Sequence, residues 1–156
     1  MGSGKSTVGT LLAQELGWAF VDLDAVIEAG QSATIREIFE KAGEAFFRQL
    51  EQAALTEGTK TEPAVIALGG GTFVQPANLH FIRETGGVTV WLDCPVEVLR
   101  QRCAGMDNRP LFQDPEGFAH LLDVRLPYYR LAEFRISTDG PRPEEVVQQI
   151  LRLNIF

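Results

Sequence analysis

The sequence predicts an α/β fold with a mostly parallel sheet, and three observations support it. Short apolar runs alternate along the whole chain with stretches of helical periodicity. Two of those runs stop at a polar or glycine-rich corner, at Gly69-Gly70-Gly71 and at Asp93, as buried parallel strands do. A glycine-rich turn, Gly2-Ser3-Gly4-Lys5-Ser6-Thr7, stands directly before an amphipathic helix.

In order, Val8, Leu11, Leu12 and Leu16 share one helical face, and Gly17 suits the helix end. Trp18 to Val21 is a short strand leading into Asp22-Leu23-Asp24. Thr34 and Glu37 have capping-box spacing, followed by Ile35, Ile38 and Phe39 in helical period. A further helix is expected from Glu44 to Thr56. Ala64 to Leu68 and Val88 to Leu92 are strands, and Pro95 is placed to open the next helix. The segment from Ala104 to Asp114 is polar with glycine, proline and arginine, which predicts a mobile surface stretch. Helix returns from Pro115 to Ala132, with Pro127 as a kink or break. Phe134 to Ser137 is the last strand and Pro143 to Arg152 the last helix.

The 156 residues suit one domain. Such a chain buries about two-thirds of its unfolded surface, so folding needs no disulfide or structural metal. Cys94 and Cys103 read as reduced thiols of a cytoplasmic protein. No run of about 18 apolar residues indicates a membrane span. The net charge of −7 argues against a nucleic-acid partner. Only Lys5, Lys41 and Lys60 are lysines among 14 basic residues, and arginine is the better fork for carboxylate and phosphate. His80 and His120 lack metal-ligand spacing, and Trp18 and Trp91 belong to packing.

Gly4-Lys5-Ser6 completes the phosphate-loop pattern Gly-x-x-x-x-Gly-Lys-Ser/Thr. Glycine lets backbone N–H groups approach phosphate oxygens, and a helix N-terminus favours their charge. Lys5 is placed for the β- and γ-phosphates of a nucleoside triphosphate, and the Ser6 hydroxyl for Mg²⁺. The first glycine of the pattern and the strand that feeds the loop fall ahead of Met1. The expectation is therefore a sheet whose central first strand is missing from this chain, with a biological start upstream.

Together with that loop, the Asp22-x-Asp24 pair, Gly43-Glu44-x-x-Phe47-Arg48-x-x-Glu51, Gly69-Gly70-Gly71, Arg109-Pro110-Leu111 and Arg125-x-x-x-Tyr129-x-x-x-Glu133 resemble shikimate kinase in order and spacing. The resemblance covers nearly the whole chain. It implies a three-layer α/β/α P-loop kinase fold, residues 1–156 forming a single kinase domain. It also implies an acceptor-binding helical region over about 25–60 and a lid over about 104–114.

The activity implied is transfer of the ATP γ-phosphate to the 3-hydroxyl of shikimate, by a cytoplasmic monomer using ATP and Mg²⁺. Arg48 would pair with the shikimate carboxylate through a bidentate fork, Glu51 three residues on would orient that guanidinium, and Arg125 would be the second clamp. Gly70 and Gly71 would offer backbone N–H groups to the acceptor. Asp22 would help hold Mg²⁺ through water, alongside Ser6. Asp24 would accept from the acceptor hydroxyls and take the proton, or cap the following helix, or do both. Lys5, Asp24 and Arg109 are the catalytic candidates, Arg109 closing over the phosphates from the lid. Gly2 to Thr7, Arg102, Arg109 and the loop ending at Pro143 would enclose the nucleotide, while the part played by Arg142 stays open. Gluconate kinase and the nucleoside monophosphate kinases share the loop and lid; a fragment that binds nucleotide without catalysis is the remaining alternative. Arg48, Glu51, the triple glycine and Arg125 favour shikimate.

Overall fold

The computed structural model describes residues 2–60, 63–103 and 115–156. Its elements run α1 (Lys5–Leu16), β1 (Ala19–Asp22), α2 (Leu23–Gln31), α3 (Ile35–Gly58), β2 (Ala64–Ala67), α4 (Pro76–Glu84), β3 (Val90–Asp93), α5 (Val96–Cys103), α6 (Pro115–Tyr129), β4 (Phe134–Ser137) and α7 (Pro143–Leu151). They form two compact units, one of residues 9–86 and one of residues 1–8 with 87–156.

In the first unit β1 and β2 pair in parallel, with Ala19 opposite Ala64 and Asp22 opposite Ala67. A parallel pair requires a long crossover, and α2 with α3 supplies it. The register brings the C-terminal ends of both strands to one edge, so Asp22 and the glycines after β2 emerge side by side. Leu23, Ile27, Ile38, Phe47, Ala54, Leu55 and Ile82 form the core beneath. Phe47 also packs against Phe39 in a tilted pair, 4.6 Å between centroids.

In the second unit β3 and β4 pair in parallel from Val90 opposite Phe134 to Asp93 opposite Ser137, with α5 and α6 in the crossover. Cys94, Leu99 and Phe118 are buried together, and α7 buries Val146, Val147 and Ile150. Glu133 locks the two strand starts. Its carboxylate accepts from the N–H and hydroxyl of Thr89, and its own N–H donates to the Thr89 hydroxyl.

Several ends follow from sequence as expected. Helix α1 closes in a Schellman motif: Gly17 has φ 68°, its N–H donates to Gln14 O, and Trp18 N–H donates to Ala13 O. Thr34 and Glu37 make both halves of the capping box. The two helices expected on either side of Gly43 are one element broken there, at φ 77° and ψ 175°.

Other expectations are corrected. The strands pair in parallel as expected, β1 with β2 and β3 with β4 among the described residues, but β2 and β3, read as buried strands, are half-buried except at Ala67. Among the described residues each strand pairs with a single other strand. Helix α4 was not anticipated, although Pro76 stands at its first turn, where proline's fixed φ favours helix entry. Pro127 lies inside α6, which ends two residues later at Tyr129 rather than at Ala132. Pro95 precedes α5 and accepts from Leu99 N–H through its carbonyl.

Candidate active site

Asp22 ends β1 and is the N-cap of α2, its Oδ1 accepting from the N–H groups of Asp24 and Ala25 at 3.2 and 3.5 Å. The capping role considered for Asp24 therefore belongs to Asp22. The cause is local: α2 begins at Leu23, which leaves Asp22 in extended conformation at φ −99° and ψ 111°. Asp24 sits in the first turn with its carboxylate directed toward the glycine loop. A Cβ on Gly69 would lie 3.0 Å from Asp24 Oδ1.

Arg48 is on α3, one residue after the buried Phe47, whose ring centroid lies 5.5 Å from its guanidinium carbon. Nη1 donates to Glu51, while Nε and Nη2 both donate to one oxygen of Glu44, at 3.2 and 2.8 Å. Burial acts to lower the pKa of Arg48, but its hydrogen bonds to Glu51 and Glu44, with their charges, more than offset it and the net shift is upward. The two partners differ in kind. The Glu51 side chain is 2% exposed, and that of Glu44 is 66% exposed. Gly71 lies against the guanidinium, and a Cβ there would stand 2.5 Å from Nη1.

Residues 9–86 thus bring together Asp24, Arg48, Glu51 and the Gly69–Gly71 loop. Two residues of this cluster went unremarked in the sequence. Thr72 is fully buried and donates its hydroxyl to Glu51, and Asn78 donates to the Thr72 carbonyl at 3.0 Å. Position directly after the triple glycine was the available signal for Thr72; Asn78 was hidden because its helix was missed.

In the other unit Gly2 and Gly4 adopt φ 71° and 90°, a region costly for residues with a Cβ, and Lys5 opens α1 with Ser6 and Thr7 in its first turn. The ends of β3 and β4 lie at one edge, where Thr138 donates from N–H and hydroxyl to the Asp93 carbonyl. Arg102 reaches this edge from α5. It donates to Thr138 O at 2.7 Å, to Gly2 O at 3.5 Å and to Cys94 Sγ at 3.6 Å, tying the loop that carries the glycines to the strand ends. Pro143 opens α7 and Arg142 is its N-cap residue, whose N–H donates to Glu145 at 2.8 Å. Arg125 lies on α6 beside Tyr129. Burial pushes the Tyr129 phenol up, and the charge and hydrogen bond of Arg125 pull it back without cancelling the rise. Arg109 and the 104–114 segment lie outside the described residues.

The family model described as shikimate kinase matches residues 1–154. The chain belongs to the shikimate kinase family. A shikimate kinase of Persephonella marina is 41% identical over 152 residues, covering 97% of this chain and 92% of that protein. One from Synechococcus is 44% identical over 156 residues, covering 97% and 79%. Among solved structures, a shikimate kinase from Acinetobacter baumannii in complex with shikimate aligns with TM-score 0.92 at 41% identity, covering 99% of this chain and 88% of that one. The Aquifex aeolicus shikimate kinase aligns with TM-score 0.83 at 38% identity, covering 99% and 90%. Membership of the shikimate kinase family makes the chain an ATP-dependent kinase with a P-loop kinase fold.

Proposed function

We propose that the chain transfers the γ-phosphate of ATP to the 3-hydroxyl of shikimate, giving shikimate 3-phosphate and ADP, on the route to chorismate and the aromatic amino acids. The observation that carries the acceptor assignment is Arg48, held by the buried Glu51 against Gly71 within a chain of this family.

In this reading the acceptor carboxylate displaces or shares the exposed Glu44 partner on the Arg48 fork, and Arg125 grips the same carboxylate. Gly70 and Gly71 donate backbone N–H groups, and Asp24 accepts from the ring hydroxyls. Asp24 orients the attacking oxygen and receives its proton; the phosphate oxygens of the product take the negative charge. Phosphoryl transfer asks for alignment and charge stabilisation more than covalent help, so positioning is the main contribution of these groups. On the nucleotide side, Gly2 to Thr7 cradle the phosphates at the start of α1. Lys5 stabilises charge on the β- and γ-phosphates, and Arg109 completes that charge from the lid. Arg102 and the loop before Pro143 border the adenine.

Ser6 and Asp22 offer a hydroxyl and a carboxylate, the hard oxygen donors that suit Mg²⁺, an ion that keeps several waters. Asp22 spends Oδ1 on the α2 cap, which supports a water-mediated role. When bound, the ion neutralises charge on the bridging and terminal phosphates. The remaining parts of the proposal are one kinase domain with an acceptor region over about 25–60 and a lid over about 104–114, acting as a monomer in the cytoplasm. Cys94, a free thiol, accords with a reducing compartment.

A coupled assay of ADP release with shikimate, gluconate and nucleoside monophosphates tests the assignment. Shikimate-dependent release is expected, lost in Lys5→Ala, with Arg48→Ala raising the acceptor KM far more than that for ATP. Preferential use of gluconate or a nucleotide overturns it.

A further inference from the structure

Glu51 is a carboxylate buried to 1% exposure, and a group in that setting needs a donor on each oxygen to stay satisfied and fixed. Arg48 supplies one, at Oε2, and Thr72 the other, at Oε1. Thr72 is itself fully buried, and its backbone is anchored on both sides. Its N–H donates to Gly69 O at 3.1 Å, and its carbonyl accepts from Gln75 N–H at 3.3 Å and from the Asn78 amide at 3.0 Å. Asn78 is 3% exposed and stands in the first turns of α4. Gly69 is the point on which these groups converge. A Cβ there would meet Thr72 Oγ1 at 2.9 Å, Asp24 Oδ1 at 3.0 Å and Glu51 Oε1 at 3.3 Å.

We infer that Thr72, braced by Asn78, is a positioning residue for the acceptor site: its hydroxyl fixes the Glu51 carboxylate, and through it the orientation of the Arg48 guanidinium over the glycine loop. The inference deepens the proposed function and rests on Arg48 as the acceptor clamp. One hydroxyl links two parts that the acceptor must find in register, the N–H groups of the loop and the guanidinium of α3. A free Glu51 oxygen would let the carboxylate turn toward other donors and carry Arg48 with it. These bonds run among Arg48, Glu51, Thr72 and Asn78, so the effect is expected on the acceptor constant.

The experiment measures steady-state kinetics on the full chain for Thr72→Val, Thr72→Ser, Arg48→Ala and Arg48→Ala with Thr72→Val, varying shikimate and ATP separately. Removing a hydrogen bond to a charged group is expected to raise the shikimate KM about tenfold or more in Thr72→Val. The ATP KM and the saturating kcat stay within about twofold, and Thr72→Ser restores the wild-type value. In the Arg48→Ala background Thr72→Val adds nothing further, because it acts through the guanidinium. Thermal unfolding confirms that each variant is folded. If Thr72→Val does not fold, Thr72→Cys replaces it, with a weaker donor and a smaller rise in the same constant. An unchanged shikimate KM in Thr72→Val or Thr72→Cys, or an equal rise for ATP, overturns the inference while a raised KM in Arg48→Ala leaves the function standing. If Arg48→Ala itself leaves the shikimate KM unchanged, the proposed clamp falls and the inference with it.

Discussion

The Arg48 guanidinium lies so close to Gly71 that a Cβ on the glycine would stand 2.5 Å from Nη1 and 3.0 Å from Nη2. The group that must give way is the end of a long side chain, so the fold can absorb the change by moving it. Gly71→Ala is therefore expected to displace the guanidinium from Glu51, with a stability loss below the ~3 kcal/mol of a fully broken buried pair. The shikimate KM should rise by about tenfold or more, as for loss of a charged hydrogen bond, with a lowered melting temperature. A large drop in melting temperature with normal acceptor KM would contradict the arrangement.

The two carboxylates on Arg48 should behave oppositely in unfolding experiments. Glu44 is exposed and pairs across one helical turn, so Glu44→Gln changes stability by no more than about 0.5 kcal/mol. Glu51 is buried, and Glu51→Ala strands both the guanidinium and the Thr72 hydroxyl. The expected loss is about 3 kcal/mol, at the low end for a broken buried pair because Arg48 keeps some access to water. Urea titration of both variants provides the comparison.

Helix α3 starts on a capping box whose strength depends on pH. Hydrogen bonds from the Thr34 N–H and then its hydroxyl, with the charge of Lys41, hold the Glu37 carboxyl below its ordinary range. A lowered folded pKa means the contribution is present above the unfolded value of about 4.3 and is lost as pH falls through the folded one. Thr34→Ala should cost about 1 kcal/mol at neutral pH. The variant should also lose part of the acid-side decline of the wild type. Urea midpoints at pH 7 and across the acid range test both statements.

Gly9 lies on α1 where a Cβ would stand 2.6 Å from the Phe20 ring on β1. Alanine gains about 0.5–1 kcal/mol of helix propensity. Overpacking a ring held by a strand costs about 1–3 kcal/mol and wins. Gly9→Ala is expected to lower stability by about 1 kcal/mol, read by thermal unfolding. A rise in melting temperature would show that the ring shifts freely.

The parts of this protein legible from sequence are those governed by neighbours along the chain. The Schellman stop at Gly17, the Thr34–Glu37 box, the break at Gly43, the phosphate-loop glycines and the Arg48–Glu51 pair each depend on spacings of a few residues, and all are present. What failed also has a local cause. Asp22 and Asp24 are both competent caps, and only the extended backbone at Asp22 selects between them. Helix α4 follows a Gln75 that makes no side-chain cap bond, and its terminal signal was Pro76.

Sequence by itself determined the alternation of strands and helices, several helix ends and the residue types able to bind phosphate and carboxylate. The tertiary structure alone decided that Thr72 hydrogen-bonds to Glu51 from 21 residues away, that Arg48 rests on Gly71, and that Glu133 closes the start of β3 from 44 residues away. The reason is physical. Short-range spacing specifies dihedrals and faces, whereas which buried donor meets which buried acceptor depends on the register in which distant strands and helices pack.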